Sequence, residues 1–140
     1  MSTTTNAQSN PVRKPPILNH VALYVVDLTK STQFYSNVIG LDTIPEPFHD
    51  GRHTWFRIGS HSQLHLIQGA TAKTVREKNN HTCFSVPSIN EFVDILKKHN
   101  IPYENWAGQK NTITRRVDGI QQLWLQDPDG YWIEINDDKY

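Results

Sequence analysis

The chain carries one short pattern twice, and this repeat limits the folds open to it more than any other feature. An apolar run around His20 is followed seven residues later by Asp27, and a run around His81 is followed seven residues later by Ser88. Asp and Ser commonly cap helix N-termini, and apolar residues at helical spacing follow both. The shared offset predicts two copies of one module that begins with a strand and a helix.

Three short strands are predicted after each helix. They are expected at 42–45, 53–58 and 63–68 in the first half, and at 103–106, 120–126 and 131–136 in the second. The last two strands are joined by Asp127-Pro128-Asp129-Gly130, in which proline and glycine supply typical turn conformations. The predicted order is therefore βαβββ twice, which is an α+β fold.

The domain limits follow from size and polarity. At 140 residues the chain has the length of a single domain. The expected divisions are a disordered tail at 1–16 and one domain at 17–137, made of module one (17–69), a polar linker (70–79) and module two (80–137).

Composition excludes several classes of protein. Formal net charge is zero, so no basic surface predicts binding to nucleic acid. No apolar run approaches the roughly 20 residues of a membrane-spanning helix. Cys83 is the single cysteine, so an intrachain disulfide is impossible and a cytoplasmic location is expected. Cys83 itself is interpreted as a packing residue, with a nucleophile or soft metal ligand as the alternative.

Four polar residues occupy corresponding places in the two modules. His20 and His81 lie on the first strands, and His65 and Glu134 lie on the last. Alternation along the last strands places His65 and Glu134 opposite their apolar neighbours, and therefore away from the helices. Three imidazoles and one carboxylate suit a divalent metal ion if the strands converge.

The motifs that carry a family resemblance are Asn19 to Leu23 with Asp27-Leu28, Phe34-Tyr35 through Leu41, His81, and Asp127 to Glu134. Their order resembles the vicinal oxygen chelate superfamily, which includes glyoxalase I, fosfomycin-resistance proteins, extradiol dioxygenases and methylmalonyl-CoA epimerase. Glyoxalase I-like members are the most similar.

The resemblance implies two βαβββ modules that form a half-open barrel around one divalent ion, which could be Zn, Ni, Co, Mn or Fe. It implies the ligands His20, His65, His81 and Glu134. It also implies a homodimer, and the sequence does not decide whether one chain or two chains build each barrel.

His65 departs from part of the family pattern. Bacterial glyoxalase I has a glutamate at this ligand position, whereas fosfomycin-type and dioxygenase members use two histidines and one glutamate, which match His20, His81 and Glu134. His65 is therefore either a fourth ligand or a group that contacts the substrate. Glu134 is the expected catalytic base.

Other side chains are weaker candidates. Tyr24 should share a face with His20, and Trp132 one with Glu134, so both are expected to contact substrate, although Trp132 could equally be a cavity wall. Arg115 and Arg116 lie in a predicted loop that could bind an anionic group or simply be solvated. The remaining histidines are expected to be solvent-exposed: His49, His53, His61 and His99.

The expected function is that of a metal-dependent glyoxalase I-like lyase or isomerase, similar to lactoylglutathione lyase. Its substrate would be a small molecule with two vicinal oxygens. The alternatives are a fosfomycin-resistance-type thiol transferase or hydrolase and a metal-free drug-binding protein like the bleomycin-sequestering members.

Overall fold

The computed structural model describes residues 13–139, which form two βαβββ modules. Module one contains β1 (His20–Val25), α1 (Leu28–Phe34), a π-helical segment (Tyr35–Ile39), β2 (Thr43–Ile44), β3 (His53–Ile58) and β4 (Ser62–Gln68). Module two contains β5 (His81–Ser85), α2 (Ile89–Lys98), β6 (Tyr103–Glu104), β7 (Thr114–Arg115), β8 (Gln121–Gln126) and β9 (Trp132–Asn136).

The two sheets have matching topology. The strand order is β1-β4-β3-β2 in module one and β5-β9-β8-β6 in module two, with β7 added beside β8. In each sheet the first and last strands run parallel to one another, and the other neighbours are antiparallel. The predicted α+β repeat is confirmed, and the parallel pairing brings the two candidate ligands of each module onto adjacent strands.

The predicted helix starts are confirmed. Asp27 Oδ1 accepts a hydrogen bond from the Lys30 amide at 2.9 Å, and Ser88 Oγ accepts one from the Glu91 amide at 3.3 Å. The first helix continues as the π-helical segment and ends at Gly40, whose φ of 84° is readily adopted by glycine.

The helices and the apolar sheet faces form one buried core, in which α1 contacts β3 and β4 and the apolar stripe of α2 joins residues of β8 and β9. The apolar stripe of α2 is buried, as are the alternate residues of the central strands, which include Leu64, Leu66, Ile133 and Ile135. Burial of these side chains from water is the main stabilising contribution to the fold. The polar residues between them therefore lie on the faces without helices.

The Asp127–Gly130 turn ties module two to module one. Tyr35 donates its hydroxyl proton to Asp127 Oδ2 at 2.8 Å, while Asp129 accepts from Ser31 Oγ and the Val26 amide, each at 2.7 Å. Burial raises the pKa values of Asp127 and Tyr35 above their ordinary ranges. We call these three hydrogen bonds the module latch.

Several sequence expectations differ in detail. The segment before β8, predicted as a loop, contains the short strand β7 because its residues pair with Gln121 and Gln122 of β8. The linker has neither helix nor strand, as expected, and the predicted tail at 1–16 lies mostly outside the described residues. No helix within 13–139 is long and apolar enough to cross a membrane.

Candidate metal site

The parallel pairing of β1 and β4 places two imidazoles side by side. His65 lies opposite Ala22, one pleat from His20, and the two histidine rings stack with centroids 4.3 Å apart and planes inclined by 9°. His20 is exposed, whereas His65 retains only 8% of its accessible surface. Both side chains are on the helix-free face, as alternation predicted.

Trp55 fixes the environment of His65. It lies directly opposite His65 in the β3–β4 pair, and the two rings stack at 3.9 Å with an interplanar angle of 2°. Burial, with smaller contributions from His20 and His53, lowers the pKa of His65 below its ordinary value. The imidazole is therefore kept in the neutral form, which is the form that binds metal ions.

The second pair lies on β5 and β9. His81 Nε2 is 3.0 Å from Glu134 Oε2, and His81 Nδ1 is 2.9 Å from the backbone oxygen of Lys78. Because Nδ1 donates to that oxygen in the neutral ring, Nε2 carries a lone pair that faces a carboxylate oxygen. Such an arrangement needs a proton or a metal ion between the two atoms.

All three imidazoles fit the chemistry of metal ligands. One nitrogen of each ring lies 2.8 to 2.9 Å from an oxygen acceptor: His20 Nδ1 from Asn19 Oδ1, His65 Nε2 from Gln63 Oε1, and His81 Nδ1 from Lys78 O. Hydrogen bonds of this kind orient the ring and leave the second nitrogen free to coordinate. The donor set therefore suits a borderline divalent ion.

The four predicted ligands nevertheless form two pairs and not one cluster. Within residues 13–139 no three His, Cys, Asp or Glu side chains are grouped so that they could hold an ion. His20 and His65 belong to sheet one, and His81 and Glu134 to sheet two. Each module thus presents half of the predicted ligand set.

Two tryptophans occupy equivalent positions, one beside the His20–His65 pair and one beside the His81–Glu134 pair. Trp124 lies opposite Glu134 in the β8–β9 pair, as Trp55 lies opposite His65, and it meets the His81 ring edge-to-face at 6.4 Å. Both indole nitrogens are buried without a hydrogen-bond partner among the described residues. From sequence, Trp55 and Trp124 are, like Trp132, possible pocket or cavity-wall residues, and each precedes the last-strand ligand of its module by ten residues.

The other residues predicted to contact the substrate do not form a single group. Tyr24 is on the His20 face and is 51% exposed, and Trp132 shares the Glu134 face. Arg116 is paired with Asp118 at 2.5 Å and Asp138 at 3.9 Å, so its guanidinium is already neutralised. Arg115 is an exposed residue of β7.

Two minor expectations need revision. His53 is not solvated: its side chain is 15% exposed, hydrogen-bonded to Asp50 and in contact with Phe48, because β3 places it on the same face as Trp55. Cys83 is exposed, so it is not a packing residue. Partial desolvation of its thiol and the nearby Glu134 raise the pKa of Cys83 to about 12, which argues against a nucleophile.

The chain belongs to the Glyoxalase/Bleomycin resistance protein/Dioxygenase superfamily, whose family model matches residues 17–135. A lactoylglutathione lyase from Pseudomonas putida is 25% identical over an alignment 162 residues long, which covers 92% of this chain and 89% of the relative. The mitochondrial methylmalonyl-CoA epimerase of Mus musculus is 33% identical over 105 residues, covering 67% of this chain but only 59% of the relative.

A solved structure has the same architecture. The genomically encoded fosfomycin resistance protein from Listeria monocytogenes superposes with a TM-score of 0.71 at 21% identity, covering 88% of this chain and 93% of that protein. At this identity the likeness establishes the fold alone.

Proposed function

We propose that the protein is a divalent-metal-dependent lyase or isomerase of the glyoxalase I type, which moves a proton next to a carbonyl in a small substrate with two vicinal oxygens. The observation that supports it most directly is the His81–Glu134 contact, in which Nε2 of the imidazole and Oε2 of the carboxylate are 3.0 Å apart. A repeat-equivalent pair of stacked imidazoles, His20 and His65, supplies the remaining ligands.

The active unit in this proposal is a homodimer. The module latch holds the two sheets of one chain in a fixed arrangement, and that arrangement leaves the ligand pairs ungrouped. A two-fold dimer repeats every contact, so the pair on sheet one of either chain can face the pair on sheet two of its partner. Two complete sites would then form per dimer, each with one ion.

The protein groups have separable roles. His20, His65 and His81 would hold the ion through ring nitrogens, and their hydrogen bonds to Asn19, Gln63 and Lys78 orient the rings. When bound, the ion supplies Lewis acidity toward the substrate oxygens. Glu134 takes up and returns the proton, and Tyr24 and Trp132 border the substrate.

The test is a proton-transfer assay on protein reconstituted separately with Zn²⁺, Ni²⁺ and Co²⁺. The hemithioacetal of methylglyoxal and glutathione is monitored for thioester formation, and methylmalonyl-CoA is monitored for solvent deuterium incorporation. We expect activity with one of these substrates and a loss of at least about 100-fold in Glu134→Gln, the usual range for removing a general base. Glu91→Gln, at the exposed start of α2, is the matched control and should remain fully active.

If none of the three metal forms acts on either substrate, the lyase or isomerase proposal is contradicted. The presence of histidine at position 65 favours one alternative, the fosfomycin-type transferase or hydrolase, whose family pattern lacks the second carboxylate. Protection of cells from fosfomycin by the wild-type chain, lost in His81→Ala, would establish that alternative. A chain that binds no divalent ion would instead favour a metal-free drug-binding protein.

A further inference from the structure

A cavity lies between the two modules. Its volume is about 410 Å³, and it is bordered by β1, by the starts of β5 and β9, and by residues 74–77 of the linker. This volume is sufficient for a small organic molecule. The cavity wall includes one arginine, Arg76, that the proposed metal chemistry does not use.

Arg76 is a half-buried cation without a counter-charge. Its guanidinium carbon lies 3.5 Å from the centre of the Tyr131 ring, and no carboxylate within residues 13–139 forms an ion pair with it. Its Nε is buried and has no acceptor in the described chain. Burying part of a guanidinium without an anionic partner is unfavourable, so the structure favours an anion here.

The other charged groups of the cavity do not neutralise Arg76. Glu77 is the single carboxylate of the cavity wall among the described residues, and its Oε1 accepts from the Asn79 side chain at 2.8 Å. His81 also borders the cavity, with Nε2 directed at Glu134. Further hydrogen-bonding capacity comes from the side chains of Thr74, Asn80 and Thr82.

The arginine is held in place before any ligand arrives. Trp132 Nε1 donates to the backbone oxygen of Arg76 at 3.0 Å, which fixes the linker at this residue. The Tyr131 ring orients the planar guanidinium, and the Tyr131 hydroxyl is itself anchored to the backbone of Tyr24 at 3.1 to 3.2 Å. A guanidinium fixed in this way loses little conformational entropy when it binds.

We infer that this cavity is an oxyanion-binding site, in which Arg76 receives the carboxylate or phosphate group of a small molecule. The planar fork of arginine N–H donors matches both groups. The site needs no metal ion, so it is testable independently of the proposed function.

The experiment titrates metal-free protein with inorganic phosphate and, separately, with acetate, and follows the arginine Nε–H signals by two-dimensional ¹H–¹⁵N NMR. Arg76→Lys identifies the Arg76 signal by its disappearance. Arg76→Met removes the charge, and Lys98→Met, at the exposed end of α2, is the matched charge control. Unfolding temperature as a function of anion concentration measures affinity in every protein, including the two Arg76 variants, which lack the Arg76 signal.

A saturable shift of the Arg76 signal is expected in the wild type with at least one of the two anions. Affinity should fall roughly tenfold or more in Arg76→Met, as expected for a lost charge-assisted hydrogen bond, and less in Arg76→Lys. Lys98→Met should bind like the wild type. If Arg76→Met does not fold, Arg76→Lys decides alone, because a lysine cannot reproduce the two parallel hydrogen bonds of the fork.

The relative response to the two anions distinguishes a phosphate-bearing from a carboxylate-bearing ligand. Non-saturable shifts with both anions, or equal affinity in the wild type and the Arg76 variants, would overturn the inference. Neither result would bear on metal binding, since the protein is metal-free throughout.

Discussion

Replacement of Asp129 by alanine should destabilise the protein strongly, because this carboxylate joins the two modules. Asp129 is 4% exposed, and it accepts hydrogen bonds of 2.7 Å from both the Val26 amide and Ser31 Oγ. Ser31 is fully buried, so its hydroxyl depends on Asp129 for a hydrogen-bond acceptor. The substitution leaves two donors of module one without partners.

The magnitude follows from those two donors. The buried Ser31 hydroxyl left unsatisfied costs about 1–3 kcal/mol, and loss of the part-buried Val26 bond adds about 0.5–1.5 kcal/mol, before relief of carboxylate burial is subtracted. We therefore expect the free energy of unfolding to fall by about 2–4 kcal/mol in Asp129→Ala. Asp129→Asn keeps one acceptor oxygen and the side-chain volume, and should lose about half as much or less.

Urea unfolding of metal-free protein at fixed concentration measures both variants, since the midpoint and slope together give the free energy. Ser31→Ala and the double variant complete a double-mutant cycle that isolates the Ser31–Asp129 interaction. A loss below about 0.5 kcal/mol in Asp129→Ala, the range of ordinary surface substitutions, would refute the role assigned to the module latch.

Three further predictions concern titration, reactivity and backbone conformation. Burial lowers the pKa of His65, so the folded state binds the imidazole proton less tightly than the unfolded state does. The stability that results from this difference is present above the pKa of the unfolded state, about 6.5, and is lost as the pH falls below that value. Urea unfolding of metal-free protein from pH 7.5 to 5 should show a steeper acid loss in the wild type than in His65→Phe, and equal slopes would contradict the assignment. With a pKa of about 12, the Cys83 thiol should react with iodoacetamide at pH 8 at least tenfold more slowly than free cysteine. The reaction should be faster in Glu134→Gln than in the wild type, and rapid alkylation of the wild type would disprove the raised pKa. Gly130 and Gly119 have φ values of 84° and 90°, but a Cβ at Gly130 would lie 2.9 Å from the Thr74 oxygen, whereas nothing lies within 4 Å at Gly119. Urea unfolding should therefore show a loss of about 1 kcal/mol in Gly119→Ala and a clearly larger loss in Gly130→Ala, and equal losses would show that this close approach is unimportant.

The repeat and the faces of the strands were predictable because both depend on local pattern. The caps at Asp27 and Ser88 are visible as residue types, and alternation places His65 and Glu134 opposite their buried neighbours. These features need only nearby residues, so a single sequence contains them.

The arrangement of the site was not predictable, because it depends on how the modules pack. Alternation shows that His20 and His81 face away from the helices, but it does not show whether those faces meet within one chain. The latch that decides this consists of long-range contacts from Asp127 and Asp129 to α1 and its neighbours. Short sequence patterns contain no information on such pairings.

Residues in irregular segments were also hard to interpret. Arg76 lies in the polar linker, where a charged side chain is usually solvated, and its stacking on Tyr131 exists only in the folded chain. His53 was assigned to solvent because its strand begins at that residue, yet pairing with β4 places it beside Trp55 on the site face. In both cases tertiary contacts override the local expectation.

The central claim is that each metal site combines the histidine pair of one chain with the His81–Glu134 pair of another. The direct measurement is metal content by elemental mass spectrometry on two double variants, His20→Ala with His65→Ala and His81→Ala with Glu134→Ala, alone and after refolding together. Each variant alone should retain no tightly bound ion. Random refolding makes about half of the dimers mixed, and one of the two sites of each mixed dimer is complete, so the mixture should retain about a quarter of the wild-type content. A mixture that binds no metal, beside a wild type that does, would contradict the shared site.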